Sequence, residues 1–283
     1  MYLLFDIGGT KMRLAQSEDG VSLQEVKLYD TPLDFKDALK ILSNFAHVKY
    51  DLVAGCLPGV FNQERSALLK SPNLPGWVGY SIKKEFQEIF KSEVILENDA
   101  ALAGLGEAFY GAGKGRKIVA YITLSTGFGG ARIVDGKVDV NNFGFEPGNQ
   151  IVDLDASLFP QSVEFNPDNL AFGSIESYIS GAALEFRYKK PSWEIKEREI
   201  WSKVEKILAV GINNILVFWS PEVVVLGGGI VLDNAISIEN VENELRKTVK
   251  IFPSLPELKK AELGDKSAIY GGLVLIKNYF ERV

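Results

Sequence analysis

The sequence is poor in the two side chains that most often carry metal and nucleophilic chemistry. Its 283 residues include one cysteine, Cys56, and one histidine, His47. A single thiol excludes an intramolecular disulfide and any multi-thiolate metal centre. His47 lies in "NFAHVKY" with no acid or nucleophile beside it, so a Ser-His-Asp mechanism has no support, and both residues are assigned to packing. Long apolar runs are also absent. The longest are strand-sized, too short for a membrane span or the apolar segment of a signal peptide, and the expected location is the cytoplasm. Basic charge is in deficit, with 31 Lys and Arg against 37 Asp and Glu and a net charge of -6. No basic cluster offsets this locally, which excludes nucleic acid as a partner. Neither G-x-x-x-x-G-K-[ST] nor G-x-G-x-x-G occurs, so a P-loop or dinucleotide-type Rossmann reading has no anchor.

The residues that are present can fill a core: 46% are hydrophobic, enough for one large domain or two of ordinary size. Tyr2 to Phe5 and Met12 to Gln16 read as strands flanking the glycine turn of "FDIGGTK". The arrangement recurs in "VAYITLSTGFGGARIVDGK", where strands over Val119 to Leu124 and Ala131 to Val134 flank a turn over Thr126 to Gly130. Two matching units imply an internal duplication. Asp51 to Ala54 and Glu93 to Leu96 are short strands around the amphipathic helix "SIKKEFQEIF", and another helix runs from Ala100 to Phe109. Glu197 to Trp219 has helical spacing, Pro221 ends it before the buried strand of "VVVLGGG", and Ala268 to Tyr279 is a closing helix. The order is that of an α/β protein. The expected lobes are 1–110, completed by the helix at 268–283, and 111–267, packed face to face around a cleft. Ile151 to Asn169, with two prolines and no clean period, is expected to be irregular.

Glycine lets main-chain N–H groups come close to a phosphate. Gly8, Gly9, Thr10 and Lys11 form one such turn, and Thr126, Gly127, Gly129 and Gly130 form its repeat. Each alone is also an ordinary hairpin turn; the repetition is what favours a phosphate cradle. Asp6, just before the first turn, is placed to hold Mg²⁺ directly or through water, or simply to cap the turn. Gly227, Gly228 and Gly229 follow an apolar strand, where an adenine and ribose can lie in α/β proteins, or where a plain turn suffices. In "VILENDAALAGLGEA", Asp99 stands where strand gives way to helix. It either caps that helix or takes the proton from a hydroxyl attacking a γ-phosphoryl group. Asn98 beside it offers a donor and an acceptor to a polyol. Glu146 in "GFEPGNQ" and Glu176 in "GSIESYISG" are Gly-flanked acids that either receive paired hydroxyls of a sugar or sit solvated on the surface.

The stretches "DIGGTK", "GCLPGV", "SPNLPGW", "LENDAALAGLGEA", "TLSTGFGGARIVDGK", "FEPGN" and "VVVLGGG" follow, in order and spacing, the pattern of the ROK family of sugar kinases and regulators. The chain resembles that family from residue 6 to about 230. The resemblance implies a two-lobed actin-like, hexokinase-like ATPase fold built from duplicated ribonuclease-H-like units. It implies ATP and Mg²⁺ as cofactors, a sugar and ATP as ligands, and a homodimer. Asp99 resembles the family's catalytic base, with Asn98 as a sugar ligand beside it. Glu146 resembles the acid of a Glu-x-Gly-His motif, and Glu176 the acid that contacts the sugar near its anomeric end. Gly59, in "LPGV", is similar to a glycine lining the same pocket, and Asn73 lies in a matching loop. Two departures stand out. Asn149 occupies the place of a histidine that contacts the sugar and ligates zinc, and it presents a different hydrogen-bonding edge to the sugar. "NPDNLAFGSIES" has no cysteine where the family has a Cys-x-Cys-Gly-x-x-Gly-Cys run. No structural zinc is expected, and the loop at 151–169 is expected to be held by packing. The implied activity is an ATP-dependent hexose kinase acting on the glucose 6-hydroxyl, with an N-acetylhexosamine, mannose or fructose as alternative acceptors. The other implied reading is a sugar-sensing ROK protein without turnover. Such relatives carry an N-terminal helix-turn-helix, and with a phosphate strand starting at residue 2 none is expected here.

Overall fold

A computed structural model describes residues 1–155, 157–158, 171–233 and 235–281. Most of the irregular stretch read over 151–169 therefore lies outside the described residues. The chain divides into two compact units: Met1–Tyr110 with Gly136–Gly144 and Asp265–Val283, and Gly111–Asp135 with Phe145–Gly264. Gly136–Gly144 lies within the stretch the sequence assigns to the second lobe, yet it clusters with the first unit.

The first unit carries strands β1 (Tyr2–Ile7), β2 (Lys11–Ser17), β3 (Lys27–Asp30), β4 (Leu52–Leu57), the short pair β5 (Val60–Phe61) and β6 (Leu68–Lys70), and β7 (Val94–Asn98). Its main sheet has the order β3-β2-β1-β4-β7. β1 is antiparallel to β2 and parallel to β4, and β4 is parallel to β7. Alternation along β1 splits its side chains between two cores. Leu3, Phe5 and Ile7 face helices α1 (Phe35–Ser43) and α2 (Ile82–Phe90), whose Phe35, Leu42, Phe86 and Phe90 join one apolar cluster. Leu4 faces the other way with Ala15, Leu52 and Ala54, against Ile269, Leu273 and Ile276. Those last three belong to the C-terminal helix. Each large side chain so buried contributes roughly 1.5–3 kcal/mol.

On that second face, α3 (Asp99–Tyr110) crosses the C-terminal helix closely. A Cβ on Gly106 would lie 2.0 Å from the Ser267 carbonyl oxygen, and one on Gly271 would lie 1.8 Å from that of Leu102. Only glycine permits this approach. α1 was not anticipated from the sequence. Asp34 caps it by accepting from Lys36 N at 2.7 Å, and Phe35, Ala38 and Leu42 form its buried stripe.

The second unit repeats the plan. β8 (Ile118–Leu124) is antiparallel to β9 (Phe128–Val134) and parallel to β11 (Val223–Gly227), which is parallel to β12 (Glu257–Lys260). The two-residue strand β10 (Lys137–Val138) lies in the segment that clusters with the first unit. The helices of the second unit are α4 (Glu176–Ile179), α5 (Gly181–Tyr188), α6 (Arg198–Trp219), α7 (Gly229–Leu232) and α8 (Ile238–Thr248), and α9 (Ser267–Phe280) is the C-terminal helix of the first. Leu208, Ile212 and Ile215 of α6 and Val241 and Leu245 of α8 pack with Ile122, Leu124, Val224 and Leu226 of the sheet. Among the described residues, no helix is long and apolar enough to cross a membrane.

The expected turn over Thr126 to Gly130 is shorter in the structure. Gly129 and Gly130 already belong to β9, paired with Thr123 and Ile122. Gly130 serves packing there, since a Cβ would fall 2.6 Å from the Tyr121 carbonyl oxygen. The turn itself is Ser125 to Gly127.

Candidate active site

In the first unit, the sheet register sets four polar residues side by side. Arg13 pairs with Asp6, Asp6 with Cys56, and Cys56 with Glu97, one residue on each of β2, β1, β4 and β7. Asp6, Cys56 and Glu97 are each one residue from the carboxyl end of a parallel strand, where ligands gather in α/β proteins. Asp6 Oδ2 accepts from Arg13 Nη1 at 3.3 Å, and its Oδ1 accepts from Cys56 Sγ at 3.4 Å. Arg13 Nη2 also holds Asp265 at 2.9 Å. Burial raises the Asp6 pKa even though Arg13 opposes it. Burial, followed by the charges of Asp6, Asp99 and Glu97, pushes the Cys56 thiol well up, so it stays protonated and donates.

Asp99 opens α3 directly after β7. Of the two residues at this junction, Asn98 caps the helix, its Oδ1 accepting from Ala101 N at 3.1 Å. Asn98 Nδ2 donates to the Gly59 carbonyl at 3.1 Å, which fixes the amide plane. Asp99 Oδ1 accepts from Ala100 N at 2.9 Å. No side chain among the described residues donates to Asp99. Its pKa is pushed up to about 6, first by burial and further by the Asp6 charge, against the pull of the Ala100 N–H. Glu97, not singled out in the sequence, accepts from Asn98 N at 2.8 Å and faces Arg65 Nη1 at 3.0 Å. Burial raises its pKa and Arg65 lowers it.

Gly59 has φ +122°, and a Cβ there would be 2.3 Å from the Lys70 carbonyl oxygen, so the carbonyl that holds Asn98 depends on glycine. Asn73 packs on the first glycine turn: a Cβ on Gly9 would meet the Asn73 Cβ at 2.9 Å. In that turn Gly8 N donates to Lys11 O at 2.9 Å, and Thr31 donates through its hydroxyl to Gly8 O and through its N–H to Thr10 O. The N–H groups of Gly9 and Thr10 have no acceptor among the described residues, as an anion cradle requires. Lys11 points elsewhere, with Nζ 2.5 Å from Asp30 on the exposed edge.

In the second unit, Gly181 N donates to Ser125 O at 2.7 Å and Ala182 N to Thr126 O at 3.1 Å. The N–H groups of Thr126 and Gly127 have no acceptor among the described residues, matching the first turn. Glu176, the first residue of α4, accepts from Phe128 N at 2.6 Å and lies against Gly127 and Gly148. Glu146 and Asn149 are exposed at the ends of a short turn, Asn149 N donating to Glu146 O at 3.0 Å. Thr126, Gly127, Glu176 and the 146–149 turn are thus brought together. The third glycine run divides differently. A Cβ on Gly227 would strike the Tyr121 hydroxyl at 2.5 Å, and Gly228, at φ +86°, packs on Leu124, whereas Gly229 opens α7 with free space beside it.

A cysteine-ligated zinc does not fit. The sequence holds its only thiol and imidazole, Cys56 and His47, in the first unit, and no group of three or more His, Cys, Asp or Glu is poised for a metal among the described residues. For Mg²⁺, Asp6 is a hard oxygen donor near the end of β1 whose burial Arg13 only partly offsets.

Two α/β units sharing one hairpin-plus-parallel-strand plan define the actin-like, hexokinase-like ATPase fold. The solved ROK glucokinase from Streptomyces griseus, in complex with glucose and AMPPNP, shares this fold with a TM-score of 0.79 at 22% identity, covering 97% of this chain and 98% of that one. More specifically, the chain belongs to the ROK family, whose family model matches residues 2–279. An uncharacterised protein of Clostridium perfringens is 32% identical across 100% of this chain and 99% of its own length. The N-acetyl-D-glucosamine kinase of Photobacterium profundum is 28% identical across 97% of this chain and 99% of its own.

Proposed function

We propose that the protein is an ATP-dependent sugar kinase that transfers a γ-phosphoryl group to a hexose hydroxyl, with Asp99 as general base. The observation that carries this is the Asp99 carboxylate at the end of β7, with one oxygen on Ala100 N and a pKa of about 6. A base tuned close to working pH is both ionised and able to hold a proton. As the sugar oxygen bonds to phosphorus and the bond to ADP breaks, the hydroxyl proton passes to Asp99. Asn98, Gly59, Asn73, Glu146, Asn149 and Glu176 are assigned to the sugar. Gly8, Gly9, Thr10, Thr126, Gly127, Gly129 and the run Gly227 to Gly229 are assigned to the nucleotide, and Lys11 through its main chain only, since Asp30 holds its ammonium group. Asp6 would hold Mg²⁺, directly or through water, and the ion would neutralise charge on the transferring group.

Two relatives support an order among the candidate acceptors. A 28% identical relative is an N-acetyl-D-glucosamine kinase, and a structural neighbour binds glucose. N-acetyl-D-glucosamine is therefore placed first and glucose second, ahead of mannose and fructose. The same reading makes the protein a cytoplasmic homodimer. The test couples ADP release to this panel with Mg·ATP, for the native chain and for Asp99→Asn. A sugar-dependent signal that disappears in the variant supports the kinase. Tight sugar binding without ADP under any condition would replace it with a sugar sensor.

A further inference from the structure

The segment that delivers Glu176 is gathered around one carboxylate. Asp153, only 7% exposed, accepts on Oδ1 from Asp155 N at 3.3 Å and Ser157 Oγ at 3.4 Å. On Oδ2 it accepts from Leu158 N at 2.9 Å and from the Tyr178 hydroxyl at 3.0 Å. Burial opposes ionisation of Asp153, but the N–H groups of Leu158 and Asp155 and the Tyr178 hydroxyl outweigh it and hold the pKa at about 2. The carboxylate is charged at every physiological pH, and both of its oxygens are engaged.

The main chain reinforces the same tie. Ile151 and Ser174 form an antiparallel bridge, Val152 N donates to Gly173 O at 2.9 Å, and Ile175 N donates to Gln150 O at 2.9 Å. Gly173, at φ +73°, lies so close that a Cβ would fall 1.7 Å from the Asp153 carbonyl oxygen. Tyr178 is buried two residues after Glu176 in α4, and Arg187 donates to the carbonyls of Ser177 and Tyr178 at 3.2 and 3.0 Å. The four-residue helix α4 is therefore anchored at Tyr178, while Glu176 at its start receives Phe128 N at 2.6 Å.

We propose that Asp153, acting through Tyr178, is a metal-free clasp and a positioning residue for Glu176, fastening residues 150–155 and 157–158 to residues 173–178 in a unit whose sequence offers zinc no thiolate or imidazole. The consequence for the sugar rests on the proposed role of Glu176; the clasp itself does not. Asp153→Asn and Tyr178→Phe remove the charge and the hydroxyl with little change of volume. In the full chain, hydrogen–deuterium exchange is expected to show faster exchange of the Phe128 amide in both variants, because Glu176 no longer holds its acceptor position. The sugar KM is expected to rise roughly tenfold while the Mg·ATP KM stays unchanged. Elemental analysis of the native protein is expected to find no stoichiometric zinc, and a zinc-selective chelator added with Mg²⁺ in excess is expected to leave its activity intact.

Unchanged Phe128 exchange in both variants, or one zinc per chain, overturns the clasp. If the native chain binds no sugar at all, the kinase reading fails, and the exchange and zinc measurements still decide the clasp. If exchange rises while the sugar KM does not, the clasp stands and the assignment of Glu176 to the sugar falls.

Discussion

Asp99→Asn tests the proposed base most severely, because it is expected to lower activity and raise stability at once. In the folded chain burial moves the Asp99 carboxyl from 3.8 to about 6. A carboxyl whose folded pKa exceeds its unfolded value binds a proton more readily when folded, so its ionised form destabilises the fold at neutral pH. That penalty is complete above about pH 6, shrinks as the pH falls, and is gone below about pH 4. A rise of this size corresponds to at most ~3 kcal/mol, and about half is expected to survive because the carboxylate keeps some contact with water. Asparagine keeps an acceptor for the Ala100 N–H without the charge. The variant is therefore expected to melt roughly 3–6 °C higher near neutral pH, with the gain vanishing toward about pH 4. Its kcat/KM should fall by ~10²- to 10⁴-fold, while in the native chain kcat/KM should drop about tenfold per pH unit below about pH 6. Thermal melts across pH and a coupled ADP assay measure both. A variant less stable at neutral pH, a gain that does not vary with pH, or retained kcat would refute the argument.

Asp6→Asn removes the charge proposed to meet the cation while Arg13 keeps Asp265 as a partner; the Mg²⁺ concentration for half-maximal rate should rise about tenfold, with sugar binding by calorimetry unchanged. Gly59→Ala forces φ +122° and a 2.3 Å contact with Lys70 O, so chemical denaturation should show a loss of more than ~2 kcal/mol. Its kcat should fall too, as the carbonyl holding Asn98 shifts. Gly271→Ala drives a methyl to 1.8 Å from Leu102 O; separation of α3 from α9 should cost roughly 2–4 kcal/mol, against only ~1 kcal/mol gained in helix propensity. The fraction that remains folded should keep normal kcat.

Features governed by short-range pattern were legible in the sequence. β1 and β8 are apolar runs ended by glycine turns, and the helices over Ile82–Phe90, Arg198–Trp219 and Ser267–Phe280 carry clear 3.6-residue stripes. α8 escaped notice because its stripe is thin: Val241 and Leu245 are its only buried side chains among mostly charged residues. The turn at Thr126 was read as too long for a related reason. Glycine in Gly129 and Gly130 has two uses, turning a chain and admitting a close neighbour, and only the fold shows that the second applies.

The same limit explains which parts of the candidate site were visible. Asp99 and Asn98 could be picked out because the strand-to-helix junction is written in adjacent letters. The division of labour between them could not, since it depends on which side chain reaches Ala101 N, and the structure gives that bond to Asn98. Arg65 and Glu97 are 32 positions apart and meet only through the fold, so neither carries a local signal. Asp153 is harder still: it lies in a stretch without period, and its partners span Asp155 to Tyr178. What a sequence offers there is an absence, namely no thiolate or imidazole in the second unit. A loop that must present Glu176 without such ligands still needs its buried main-chain groups satisfied. A single carboxylate receiving four donors meets that need, so Asp153 can fasten this stretch although no motif surrounds it.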